Sequence, residues 1–208
     1  MAPAAPHQRT TAPTARDGPR AERADARRNR AALLAAAEEV FSEQGISAPI
    51  DEVARRAGVG VGTLYRHFPT KEALFEAIVA ARIESLATRA EQLAREPDPA
   101  AALLSHISEV VAGAVAKKDL FDELARWGYE PIERVHAEYK QRLWRAGEIL
   151  LRRAQQAGVV RPDLTQEDLT AMVLGTCEGA CCALVDAARR PELSKRMVEV
   201  LWAGLQAR

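Results

Sequence analysis

A chain of 208 residues, 48% hydrophobic and 28% charged, has an ordinary globular composition and is long enough for one or two domains with a sizeable core. The formal net charge is +0, which argues against bulk attraction to nucleic acid, but the charge is unevenly spread. Residues 1–71 carry eleven Lys/Arg against eight Asp/Glu, about +3, leaving about −3 for the remainder. A weakly basic head on an acidic body is compatible with a DNA partner.

Residues 1–24 are rich in Ala, Pro, Thr and Arg without apolar periodicity, and read as a disordered tail. They hold no apolar stretch of the secretory kind. No apolar run approaches the ~18 residues of a membrane span, so a cytoplasmic location is expected. Arg16, Arg20, Arg23, Arg27, Arg28 and Arg30 form a loose basic run, diluted by Asp17, Glu22 and Asp25. It suits either a solvated tail or an arm that wraps phosphate or enters a minor groove. A first helix is predicted from Asp25 to Gln44, burying Leu33/Leu34, Ala37 and Val40/Phe41, with Gly45 as its stop.

Next come two short helices. Ile50, Val53, Ala54 and Ala57 fall at helical spacing; Pro49 suits a helix start, and Asp51 and Glu52 suit a positive first turn. Gly58 ends this helix, and another begins near Val61, with Leu64 and Phe68 four apart on its inner face. Its outer face holds Gly62, Thr63, Tyr65 and Arg66, and Pro69 closes it. Two short helices joined by a tight Gly-containing turn, the second rich in hydrogen-bonding groups, make a helix-turn-helix that sets its second helix in the DNA major groove.

The residues Gly58-Val59, Thr63-Leu64-Tyr65, His67-Phe68 and Lys71 resemble the signature of the TetR (tetracycline-repressor-like) family of transcriptional regulators. The resemblance covers roughly residues 27–75. It implies phosphate contacts from Thr63, Tyr65, His67 and Lys71, with Val61, Gly62 and Arg66 near base edges. Val61 and Gly62 offer no side-chain hydrogen bonds, so readout there is limited to apolar contact with thymine methyl groups.

A fourth helix, from Thr70 to about Arg95, is too long to serve the N-terminal core alone. The expected domains are therefore a tail at 1–24, a DNA-binding head at 25–71 and a regulatory and dimerisation body at 72–208, linked by that helix. A fifth helix is predicted from Pro99 to about Ala116, capped by Asp98, and a short sixth from Leu120 to Trp127. A long seventh ends at Gly158. A Thr165-to-Asp168 capping box opens an eighth that runs to Ala188, and Arg190-Pro191 separates it from a ninth ending near Ala207. No stretch alternates like a strand. The predicted fold is all-α, about nine helices.

The eighth and ninth helices show a wide apolar and small-residue surface, including Gly175, Gly179, Ala180 and Ala183. Part of it serves an internal core. The resemblance implies that these helices also form a homodimer interface. Dimerisation is expected physically too, since one helix reads too few base pairs. The body segment rich in Phe121, Trp127, Tyr129, Tyr139 and Trp144 fits either a helical core or an apolar ligand cavity. His106, Arg126, Glu130, His136 and Glu178 are candidate polar contacts, with Met172 and Cys177 from the eighth helix. The resemblance implies an unknown small-molecule effector.

The three cysteines, Cys177, Cys181 and Cys182, form no disulfide framework, and no matched ligands suggest a metal. Cys177 and Cys181 suit small packing residues or a thiol-based oxidant sensor. Gly58 to Gly62 superficially resembles a phosphate loop, but no strand precedes it and no Gly-Lys-Ser/Thr follows. No catalytic motif or cofactor site is recognised; a helical enzyme or a purely structural helical protein are the remote alternatives. The expectation is a repressor that binds a palindromic operator and is released by a small, largely apolar effector.

Overall fold

Two hydrophobic cores share one helix. The computed structural model describes residues 18–45, 47–126, 137–182 and 184–207, with side chains from residue 23 onward except 119–121 and 123–126. Among the described residues eight α-helices follow in chain order: α1 (Gly18–Gln44), α2 (Ile50–Arg56), α3 (Val61–His67), α4 (Lys71–Leu93), α5 (Pro99–Arg126), α6 (Ala137–Gln156), α7 (Gln166–Ala180) and α8 (Arg190–Leu205). A 3-10 turn at Ala187–Arg189 precedes α8, and no strand occurs among the described residues. Val160 and Gln206 make a single antiparallel bridge that ties the start of the α6–α7 loop to the end of α8.

The first core joins α1, α2, α3 and the first half of α4. Leu33, Val40, Val53, Leu64 and Leu74 are fully enclosed, and the Phe41 and Phe75 rings meet at 4.9 Å. The second core holds Ala90 and Leu93 of α4 with Leu103, Ile107 and Val111 of α5 and Leu150, Leu151 and Ala154 of α6. Leu169 and Cys177 of α7 and Val198 and Leu205 of α8 complete it. Thus α4 spans both, as its length required. Arg142 of α6 binds Glu91 of α4 at 3.0 Å, and Arg153 donates to the carbonyls of Ala94 and Glu96, satisfying groups left open at the end of α4.

Several boundaries differ from expectation. Residues 18–24, read as part of a disordered tail, form the opening turns of α1. The predicted fifth and sixth helices are one. Ala116 to Leu120 contains neither Gly nor Pro, and Lys118 pairs with Asp122 at 2.6 Å across the supposed break. The predicted eighth helix stops at Ala180 rather than Ala188. Asp186 accepts from the Ala188 amide and so caps a new turn instead of continuing the old helix.

A further expectation fails: Pro99–Lys118, at mean hydropathy 1.4, is long and apolar enough to span a membrane by length and composition. Here it is the middle of the body. It packs against α4, α6, α7 and α8, with Ala102, Leu103, Ile107 and Val111 buried. The predicted caps hold: Asp98 accepts from Ala100, and Thr165 with Asp168 forms a reciprocal capping box; Thr70 likewise caps α4 by accepting from Ala73.

Candidate functional site

The geometry of the head begins with Gly58. Its φ of +69° lies in the left-handed region, which lets the chain leave α2 and start α3 within a short turn. The Val59 amide donates to the Ala54 carbonyl at 3.0 Å and closes that turn. Leu64 and Phe68 are then buried at 0% and 2% exposure, which seats the inner face of α3. Burying two such side chains favours this docking by about 1.5–3 kcal/mol each. Arg56 fixes α2 to α1 through Glu43 at 2.8 Å and Glu39 at 3.4 Å, and those carboxylates hold its guanidinium firmly protonated.

The outer face of α3 is thereby set. Val61, Gly62, Tyr65 and Arg66 are exposed, Tyr65 at 46%, while Thr63 and His67 are half-buried beside them. Arg66 makes no ion pair among the described residues. Lys71 stands apart from this group. Its ammonium donates to the Ala48 carbonyl at 2.7 Å and lies 5.5 Å from the centre of the Phe41 ring. Burial lowers its pKa from the ordinary lysine value, against a smaller opposing effect of Glu72. Lys71 thus pins the α1–α2 loop to the start of α4, with donor capacity left for a phosphate.

A cavity of about 280 Å³ lies between α4, α5 and α7. Val79, Ile83, Leu86, Val110, Ala114 and Cys177 make its apolar wall. Arg82, Lys118, Asp122 and Glu178 supply the polar groups. Ile83 packs against the first core and Val110 against the second, and both also border this space. Of the residues expected to line a pocket, Cys177 does, and so does Glu178. His106 sits half-buried on α5 and Met172 packs against the second core, both outside this wall; Trp144 is 38% exposed on α6. Trp127, Tyr129, Glu130 and His136 lie outside the described residues, as do the side chains of Phe121 and Arg126.

Comparison with known proteins agrees with this architecture. Residues 33–78 match the family described as bacterial regulatory proteins, tetR family, and residues 98–207 match the SbtR-like transcriptional regulator C-terminal domain. A TetR transcription regulatory protein from Mycobacterium vanbaalenii superposes with a TM-score of 0.71 at 34% identity, over 89% of this chain and 99% of that one. A TetR transcriptional regulator from Streptomyces coelicolor gives 0.69 at 32% identity, over 86% and 98%. The HTH-type transcriptional regulator UidR of Escherichia coli is 29% identical over 74% of this chain and 81% of its own.

The chain belongs to the TetR family.

It is a DNA-binding transcriptional regulator, and the helix-turn-helix is its reading head. In this TetR-family protein, two features escaped sequence reasoning. Lys117 of α5 reaches Glu38 of α1 at 2.6 Å and ties body to head, a pairing across a long stretch of chain with no local signature. Arg82 is the other: a lone arginine in an amphipathic helix looks like a surface charge until the fold places it on a cavity wall.

Two thiols of this regulator, Cys177 and Cys181, are held toward the protonated form. Burial pushes the Cys177 thiol up to about 11, and Cys181 is raised by the same cause despite Lys118 nearby. A thiol held protonated is a poor nucleophile, and Cys177 packs in the second core.

Proposed function

We propose that this regulator is a repressor that binds a palindromic operator as a homodimer through α7 and α8 and leaves it when a small, largely apolar effector enters the α4–α5–α7 cavity. One observation carries the control step: Val79 belongs to the buried core of the head and also to the wall of the cavity. Whatever fills the cavity presses on a residue that seats the reading head. In this reading Thr63, Tyr65, His67 and Lys71 hold phosphates, while Val61, Gly62 and Arg66 face base edges.

The dimer reading rests on exposed apolar surface at the C-terminal helices. Val200 is 74% exposed and Leu174 58%, and Leu184 in the loop between α7 and α8 is 95% exposed. Between α7 and α8 runs a shallow apolar groove lined by Thr176, Met197, Val200 and Leu201. Exposed apolar side chains beside an apolar groove support an interface reading. Gly179 lets the two helices approach closely, since a Cβ there would stand 2.6 Å from the Met197 methyl.

The control step is tested without an effector by filling the cavity from within. Ala114→Phe places a ring among Ile83, Leu86 and Cys177. With an operator selected from random duplexes, the variant should remain folded and dimeric yet bind the duplex at least tenfold more weakly. Parent-like operator affinity in a folded Ala114→Phe dimer would remove the cavity from the mechanism.

A further inference from the structure

We propose that the cavity takes an amphipathic anion, an apolar body with one carboxylate or phosphate head, and that Arg82 is the seat for that head. This rests on the reading of the cavity as the effector site and adds the chemistry of its occupant. Arg82 stands midway along α4, half-buried, between the residues that serve the first core and those that serve the second. Its guanidinium lies over Gly113 of α5, in the space a Cβ at that position would take. It has no hydrogen bond or ion pair among the described residues.

The neighbouring charges differ from it. Lys118 is neutralised by Asp122 at 2.6 Å, Arg89 by Glu109 at 3.1 Å, and Lys117 by Glu38 at 2.6 Å. Glu178 is exposed and solvated. Among the described residues Arg82 is therefore the unmatched cation of the wall. A guanidinium drawn partly out of water without a partner is unfavourable, and a carboxylate or phosphate offers it paired, charge-assisted hydrogen bonds.

The surroundings set the shape of the ligand. On one side of Arg82 lies the apolar cavity of about 280 Å³. On the other an open groove of about 710 Å³ runs past Ser85, Thr88, Gln92 and the Arg89–Glu109 pair. Arg82, Leu86 and Gly113 border both spaces. Polarity thus switches at the guanidinium, and a ligand with its chain inside and its anionic head at Arg82 matches that switch. A cationic amphiphile would bring like charge against an unpaired guanidinium.

Octanoate, octan-1-ol and octylammonium share one chain and differ in head charge. Their binding to the full-length parent, Arg82→Lys and Arg82→Gln is measured by isothermal titration calorimetry, with a thermal melt for each protein. Octanoate should bind the parent at least tenfold more tightly than octan-1-ol. That preference should persist in part in Arg82→Lys and vanish in Arg82→Gln, while octan-1-ol binds all three alike. The Tm of Arg82→Gln should equal or exceed the parent's, because an unpaired charge has been removed. If octan-1-ol or octylammonium matches octanoate on the parent, or Arg82→Gln binds octanoate as before, the anion seat is wrong and the effector cavity stands. If none of the probes binds the parent, both readings fall.

Discussion

Arg66 and Tyr65 project from the same short helix, yet their chemistry predicts different phenotypes. Arg66 is exposed and has no ion pair among the described residues, so its planar donors suit a guanine edge, worth about 1–3 kcal/mol of discrimination. Arg66→Ala should relax preference at one position of each half-site, read by binding to a panel of point-substituted operators. Tyr65→Phe removes only a hydroxyl suited to phosphate and should weaken all operators alike, with preference unchanged. A different residue-scale effect belongs to His106. Burial holds its pKa below the ordinary 6.5, against a smaller upward pull from Glu109. The unfolded chain thus binds a proton that the folded chain resists, so stability is complete above pH 6.5 and falls as pH drops below it. Melts between about pH 7.5 and 5 should show a Tm decline that is shallower in His106→Asn.

The turn between α2 and α3 isolates a purely conformational cost. At Gly58 no atom beyond the adjoining residues lies within 4 Å of where a Cβ would stand, so a methyl group meets no clash with packed neighbours. The φ of +69° alone opposes an L side chain. Gly58→Ala should therefore destabilise the protein by about 1–2 kcal/mol. Denaturant unfolding measures that cost, and operator titration should show a parallel loss because the same turn aims α3. Were Gly58→Ala neutral in both assays, the left-handed turn would have no part in aiming the head.

For the whole molecule, symmetry and coupling are the testable properties. Val200→Arg puts a charge into the exposed apolar face of α8. The variant should run as a folded monomer by light scattering and lose tight operator binding, because two recognition helices must enter grooves about 34–36 Å apart. Coupling is reciprocal by thermodynamic necessity. If effector weakens operator binding by some factor, operator must weaken effector binding by the same factor, with typical couplings of about 1–3 kcal/mol. Calorimetry of octanoate with and without duplex measures it. Equal affinity in both states would separate the cavity from DNA control.

The local code of the head was open to reading because its determinants are short-range. Gly58, Thr70, Leu64 and Phe68 specify a turn, a cap and a buried face within a few residues, and each occurs as expected. The length of α4 likewise exceeds what the core of the head can bury, and its residues enter both cores. Helix ends in the body were less legible. The continuity of α5 depends on Lys118 meeting Asp122 with no breaker between them, and the end of α7 on Asp186 capping a new turn. Long-range placement was not legible at all. The contacts of Lys71 with Ala48 and Phe41 come from another part of the chain and have no local signature. The reach of Lys117 to Glu38, the position of Arg82 over Gly113, and the cavity behind it arise from helices far apart in sequence. Periodicity tells which face of a helix is apolar; only packing tells which apolar residues close a core and which border a space.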